Sequence, residues 1–346
     1  MADDLDAFMA TMVVQAAPVS PHRAVALARD RFGLEVKATR LTGERDENFK
    51  LTLPDGTEYV LKIANSAESA AVTDLQMAAL LHLAMTDQEL PVPRIRRTPQ
   101  GDACIPFEDA SGVERTARVL SYRPGRLLED SARSSQQRAA CGRVGGRLSR
   151  ALGRFEHPAA HRAVVWDVRH VGYLSRLLTQ MPGFAFRPRA IELLNRIVPA
   201  VNGRFPMLRQ QIVHNDLNPR NILVDPQDEA RIIGIIDFGD LTHTALIADV
   251  AVAGAELIPP GCADAAAARD CVLDVARTYH EYVPLLAEEL AILGTLVAAR
   301  LAMNIVVHEW HVAHNPASEH FAALDGDFMQ ARLEVANRLV DEEFRL

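Results

Sequence analysis

The stretch His214-Asn215-Asp216-Leu217-Asn218-Pro219-Arg220-Asn221, followed by Ile235-Ile236-Asp237-Phe238-Gly239-Asp240, decides how this chain is read. Between them, Ile222-Leu223-Val224 and Ile232-Ile233-Gly234-Ile235-Ile236 are β-branched runs separated by the turn-forming Asp225-Pro226-Gln227-Asp228, so the two runs read as one hairpin. Asn221 and Asp237 then flank the same open end. An amide oxygen and a carboxylate side by side, with Asp216 a few residues upstream, collect oxygen ligands suited to Mg2+ beside a carboxylate able to receive a proton. That is the chemistry of phosphoryl transfer. Asp and Asn are also ordinary turn residues, but order, spacing and flanking strands agree here on the catalytic reading.

Composition narrows the alternatives. The 346 residues are enough for about two domains or one two-lobed body, and 49% apolar with 24% charged residues is ordinary globular composition. A formal net charge of −8 argues against a nucleic-acid or anionic-membrane partner, since neutralising phosphates takes clustered Lys and Arg. It suits a cationic or zwitterionic small molecule. Cys104, Cys141, Cys262 and Cys271 form no Cys-x-x-Cys pair and read as reduced thiols of a cytoplasmic protein. The start, Met1-Ala2-Asp3-Asp4-Leu5-Asp6, lacks the basic and apolar regions of a signal peptide. Residues 290–307 are apolar enough to span a membrane, but Arg300 in their middle favours a buried core helix. Oligomeric state is not legible.

The hydrophobic period divides the chain into a helical cap over 1–32, a strand-rich segment over 33–122 and a mostly helical segment over 123–346. Residues 36–41, 48–53 and 58–63 read as strands, the last two joined by Pro54-Asp55-Gly56-Thr57. Val72, Leu75, Ala79 and Leu83 mark an amphipathic helix, ended by Leu90-Pro91-Val92-Pro93, and 116–122 reads as a further strand. Helices are expected near 134–155, 186–202, 244–258, 264–282, 285–310 and 318–342. The class is α+β, with a small β-rich lobe, a larger α-rich lobe and a nucleotide cleft between.

Taken together, these motifs resemble the eukaryotic-like kinase fold, and within it the aminoglycoside phosphotransferase and choline kinase superfamily. Protein kinases carry His-Arg-Asp with Asn five residues after the Asp. This chain has Asn215 in the Arg place and keeps the spacing from Asp216 to Asn221. The resemblance makes Asp216 the catalytic base, gives Asn221 and Asp237 the metal, and places Lys62, in Tyr59-Val60-Leu61-Lys62-Ile63, on the α- and β-phosphates of ATP or GTP. The loop Leu41-Thr42-Gly43-Glu44-Arg45-Asp46-Glu47-Asn48-Phe49 takes the place of the phosphate-covering loop, with Gly43, Arg45 and Asn48 as contacts, or is a plain hairpin connection. Ser121 and Tyr122 fall where backbone groups bind the purine. Gln76 stands where the superfamily often has a Glu paired to the lysine, which leaves Glu68 or Asp74 to supply the charge, or a weaker pairing.

Gly43 to Phe49 with Val60-Leu61-Lys62-Ile63-Ala64-Asn65, then Ile236 to Asp240, then Ala299-Arg300-Leu301-Ala302, resemble the hydroxylysine kinase-like group. The acceptor implied is the hydroxyl of a small amino-bearing metabolite such as 5-hydroxylysine. A homoserine, choline or aminoglycoside kinase, or a nucleotide-binding pseudokinase, are the alternatives. By the same resemblance His214 hydrogen-bonds the catalytic-loop backbone. Asp249 is read as a brace for the loop and Trp166-Asp167 as packing. Asp240 is a candidate contact to the metal or to a substrate amine, and Glu256 to the amine. Buried Arg300 needs a partner, either a carboxylate such as Glu256 or the carboxylate of the substrate.

Overall fold

The computed structural model describes residues 2–14, 17–43, 46–315 and 323–346. The chain forms two compact units, Met9–Pro124 and Met1–Phe8 with Gly125–Leu346, against expected boundaries after residues 32 and 122. Helix α1 (Ala2–Val13) is divided between them at Phe8.

In the smaller unit α2 (Pro21–Phe32) starts where Ser20 Oγ accepts the Arg23 N–H and Pro21 fills the first turn, and it stops at Gly33, whose φ of +66° closes the helix. There follow β1 (Lys37–Leu41), β2 (Glu47–Thr52), β3 (Glu58–Ile63), α3 (Ala70–Thr86), β4 (Ile95–Arg96), β5 (Ile105–Glu108) and β6 (Glu114–Ser121). The strands pair antiparallel in the order β1-β2-β3-β6-β4, with β5 also on β6. Alternation sends Phe49, Leu51, Leu61, Ile63, Ala117 and Val119 to one face, where Ala24, Leu27, Ala28 and Phe32 of α2 share their core. The cap expected over 1–32 therefore contributes α2 to this core. The register also aligns Asn48 with Lys62 and Lys62 with Arg118, which puts three polar side chains in a row on the other face.

The larger unit begins with β7 (Arg126–Leu127), α4 (Ser135–Leu152), α5 (Leu174–Gln180), α6 (Arg187–Arg204) and β8 (Gln210–Val213). The hairpin β9 (Ile222–Val224) and β10 (Ile232–Ile235) comes next, then β11 (Thr242–Ala245), α7 (Ile247–Leu257), α8 (Ala265–His280), α9 (Ala287–His314) and α10 (Gly326–Leu339). The hairpin carries β7 on its β9 side, while β8 and β11 form a separate antiparallel pair. Strands β4, β5, β7, β8 and β11 and helix α5 were not anticipated. Most have two to four residues, too short to show a period.

Helices α7 and α9 pack together at the centre of this unit. Every residue of α7 except Glu256 is buried, and so is most of α9, which explains a helix long and apolar enough to cross a membrane: 83% of its apolar window is covered by protein. Close approach elsewhere depends on glycine. A Cβ on Gly142 of α4 would collide with the Val275 carbonyl oxygen and Thr278 Oγ1 of α8. Gly142→Ala should therefore cost about 2 kcal/mol of stability, despite alanine's better helix propensity by ~1 kcal/mol. Urea unfolding would read this, and an unchanged or raised midpoint would show that α4 and α8 can separate freely.

Candidate active site

Strand β8 ends at Val213 and delivers His214, Asn215 and Asp216 in succession. The chain reverses at Asn215, whose φ of +64° is left-handed, a conformation that Asn tolerates better than most residues. Asp249, in the first turn of α7, holds that reversal: its Oδ1 accepts the Asn215 N–H at 2.8 Å. Burial pushes the Asp249 carboxyl up to about 6, opposed by the N–H groups of Asn215 and His214. His214 is fully buried, its pKa pressed down to about 4 by desolvation, so at neutral pH the ring is uncharged. Its Nδ1 accepts the Asp216 N–H at 3.3 Å, and Phe238 meets it edge-on with ring centroids 4.8 Å apart. His214 is built as backbone support.

Asp216 is gripped from three sides. Asn218 Nδ2 donates to Oδ1 at 2.8 Å, Arg300 Nη2 donates to the same oxygen at 3.0 Å, and Asn221 Nδ2 donates to Oδ2 at 2.6 Å and to the Asp216 carbonyl at 3.0 Å. Burial raises the Asp216 carboxyl above the usual range and the Arg300 charge opposes that rise. Arg300 in turn gives Nε to Glu256 Oε1 at 2.7 Å and Nη1 to the Trp166 carbonyl at 3.2 Å, with its guanidinium 5.0 Å from the Trp166 ring centre. Asn304, one turn along α9, donates to the same Glu256 oxygen at 3.0 Å. The helix-borne charge thus has two carboxylates, Glu256 and Asp216. The sequence named the first and missed the second.

At the hairpin's open end the Ile236 N–H donates to the Asn221 carbonyl at 2.9 Å, which sets Asp237 beside Asn221. Asp237 has φ +59°, the second left-handed non-glycine residue in the site. Its Oδ1 accepts the Gly239 N–H at 3.0 Å, and Arg162 Nη2 donates to the carbonyls of Gly239 and Leu241. Non-glycine residues in this region cost of order 1–3 kcal/mol, and such strain gathers at functional sites. Asn221 directs its Nδ2 to Asp216, which turns Oδ1 the other way. An amide oxygen beside a carboxylate fits a hard divalent cation that draws its remaining ligands from phosphate and water. Among the described residues no cluster of three His, Cys, Asp or Glu forms an all-protein metal cage.

The smaller unit holds its own polar group. Lys62 Nζ lies 3.6 Å from Asp46 Oδ2, and Arg118 Nη2 reaches the same oxygen at 2.9 Å. Asn48 Nδ2 donates to the Asp46 carbonyl at 3.3 Å, and a Cβ at Gly43 would strike both Asn48 and Asp46. Arg45 lies outside the described residues.

A family profile for the phosphotransferase enzyme family, APH, matches residues 37–285, most of both units. The chain belongs to that family. It is a small-molecule kinase that transfers phosphate to a hydroxyl. Hydroxylysine kinase of Mus musculus is 26% identical to this phosphotransferase over 92% of the chain and 91% of the relative, and that of Danio rerio 25% identical over 84% and 83%. Among solved structures, amicoumacin kinase hAmiN in complex with AMP-PNP, Ca2+ and Ami superposes with a TM-score of 0.68 at 16% identity, covering 93% of this chain and 94% of its own. A microcompartment-associated aminopropanol kinase does so at 0.62 and 17%, covering 90% and 93%. At these identities the structures show a shared kinase-like fold.

Several expected residues of the phosphotransferase thus fall together: Asp216, Asn221, Asp237 and Arg300 in one unit, Lys62, Asn48 and Gly43 in the other. Two expectations change. The N–H groups of Ser121 and Tyr122, expected near the purine, donate within the sheet to the carbonyls of Arg94 and Glu58, because β6 is an interior strand there. Among the described residues the carboxylate beside the lysine is Asp46, and Glu68 accepts from Thr73 Oγ1 and Gln76 Nε2. Asn218, Arg162 and Asn304 were missed, since nothing in the sequence distinguishes them from solvated polar residues. Trp166, read as packing, also supplies a carbonyl and a ring face to Arg300.

With its donors directed at Asp216, Glu256 and Trp166, Arg300 is expected to act on turnover. Arg300→Met should lower kcat by about 10²-fold and change the acceptor KM by less than about threefold. A raised acceptor KM at unchanged kcat would instead make Arg300 an anchor for the acceptor's carboxylate.

Proposed function

We propose that this phosphotransferase moves the γ-phosphoryl group of ATP or GTP, with Mg2+, onto the hydroxyl of a small amino-bearing molecule, specifically a hydroxylated amino acid such as 5-hydroxylysine. The observation that carries the reading is the charge arrangement around Asp216. Asp240 and Glu256 both act on Asp216, and Arg300 reaches Asp216 and Glu256 directly. Carboxylates gathered around the base are the groups that an ammonium on the acceptor complements. The likeness to hydroxylysine kinases along most of the chain supports the same acceptor class.

The chemistry follows from which oxygens are engaged. Asp216 Oδ1 already takes two donors, from Asn218 and Arg300, whereas Oδ2 takes one, from Asn221. A carboxylate oxygen accepts two hydrogen bonds, so Oδ2 is the atom that receives the acceptor hydroxyl. As that hydroxyl oxygen bonds to the γ-phosphorus, its proton passes to Oδ2 and the bond from phosphorus to the leaving nucleoside diphosphate breaks. Asn221 Oδ1 and Asp237 would hold the metal, which when bound would offset charge on the phosphate oxygens. Lys62 positions the donor's phosphates.

A coupled screen for nucleoside diphosphate release tests the proposal, using ATP and GTP against hydroxylated amino acids, choline and aminoglycosides. The expected outcome is selective turnover of a hydroxylated amino acid. Turnover of choline or kanamycin alone would reject the acceptor assignment and leave the kinase chemistry standing. With the true acceptor in hand, Asp216→Asn should lower kcat by roughly 10²-fold or more, with nucleotide affinity within a few-fold of wild type. Near-wild-type turnover of that variant would remove Asp216 from the mechanism.

A further inference from the structure

Lys62 and Arg118 face each other across β3 and β6, and paired positions in a sheet send their side chains to the same face. Two cations are thereby set side by side, and Arg118 is only 1% exposed. A buried guanidinium without a counter-charge is costly. Among the described residues the carboxylate that pairs with it is Asp46, whose Oδ2 lies 2.9 Å from Arg118 Nη2 and 3.6 Å from Lys62 Nζ. Gln76 Oε1 accepts from the same Arg118 nitrogen at 2.7 Å, and the Asn65 N–H steadies Asp46 Oδ1 at 3.2 Å. Arg118 Nε and Nη1 make no hydrogen bond, so the guanidinium's hold on its surroundings is concentrated in Nη2.

In the kinase fold a helix carboxylate fixes the strand lysine on the nucleotide phosphates. Here the α3 residue at that place is Gln76, which cannot neutralise a lysine, and its amide oxygen is directed at Arg118. We propose that Asp46 takes over the work of the helix carboxylate, with Arg118 and Gln76 as positioning residues that hold it against Lys62. This rests on the reading that Lys62 meets the donor's phosphates. The carboxylate that orients the lysine then lies between β1 and β2, in the loop whose resemblance is to a phosphate-covering loop.

The test is calorimetric binding of ADP and adenosine, with GDP and guanosine alongside, to the full chain and to Lys62→Met, Asp46→Asn, Arg118→Met and Arg118→Lys. Asp46→Asn removes charge at nearly constant shape, and Arg118→Lys restores charge without the fork. Lys62→Met is expected to bind the diphosphate about tenfold more weakly and the nucleoside unchanged, and Asp46→Asn and Arg118→Met should do the same. Arg118→Lys should recover part of the loss. Introduced into Lys62→Met, neither Asp46→Asn nor Arg118→Met should weaken the diphosphate by more than about a further twofold, because their effect runs through the lysine. Full diphosphate affinity in Asp46→Asn and Arg118→Met, with Lys62→Met impaired, overturns the wiring alone. Equal losses for nucleoside and diphosphate, additive with Lys62→Met, also overturn it by making the cluster a fold support. Wild-type binding by Lys62→Met would remove the role of Lys62 and the wiring with it. Should Arg118→Met fail to fold, Asp46→Asn decides the matter, being a change on a loop.

Discussion

A carboxylate drawn out of water keeps its charge only where donors replace the lost hydration, and the larger unit is organised around that requirement at Asp216. Asn218 and Asn221 come from the catalytic loop itself, but the charged donor, Arg300, comes from α9, 84 residues further along the chain. Placing a guanidinium in the middle of a helix otherwise lined with aliphatic side chains requires partners for all its donors. Glu256 of α7, the Trp166 carbonyl and Asp216 supply them. The two central helices are thus joined by a polar bridge through an apolar contact, and the bridge ends on Asp216. This arrangement sets the orientation of Asp216 by the packing of α7 against α9.

The same α7 controls the loop from its other end. Asp249 caps the left-handed reversal at Asn215, while Glu256, two turns later, braces Arg300. A buried, mostly apolar helix therefore carries the two acids that fix the loop backbone and the side chain of the base. Any shift of α7 would break the Asn215 hydrogen bond and the Arg300 ion pair together, each leaving a buried polar group unanswered.

In the smaller unit the physics is inverted. There, among the described residues, two cations, Lys62 and Arg118, reach the same carboxylate oxygen, Asp46 Oδ2, at 3.6 and 2.9 Å. In the larger unit one guanidinium, Arg300, reaches two carboxylates, Asp216 and Glu256.

Much of this was fixed by residue order. His214-Asn215-Asp216 with Asn221 and Asp237, between two β-branched runs, specifies a strand, a tight loop and a hairpin through local backbone preference, so the catalytic stretch was readable from the chain, as were β1 to β3, α3 and the major helices. Lys62 was readable by its strand and turn context. What local order does not carry is which charges meet across distance. Arg300 could be paired with Glu256 by the rule that buried charge needs a partner, but its contact with Asp216 depends on the crossing of α9 past the catalytic loop. Arg118 gave no sign of its role, because strand alternation puts an Arg on a face without saying that Lys62 and Asp46 stand opposite. Nor could the sequence show that the Ser121 and Tyr122 N–H groups are engaged, since that needs β6 to lie between β3 and the segment that leads into the short strand β4. Local sequence sets which elements form and which residues they carry, and only packing decides which buried charges are brought within hydrogen-bonding distance.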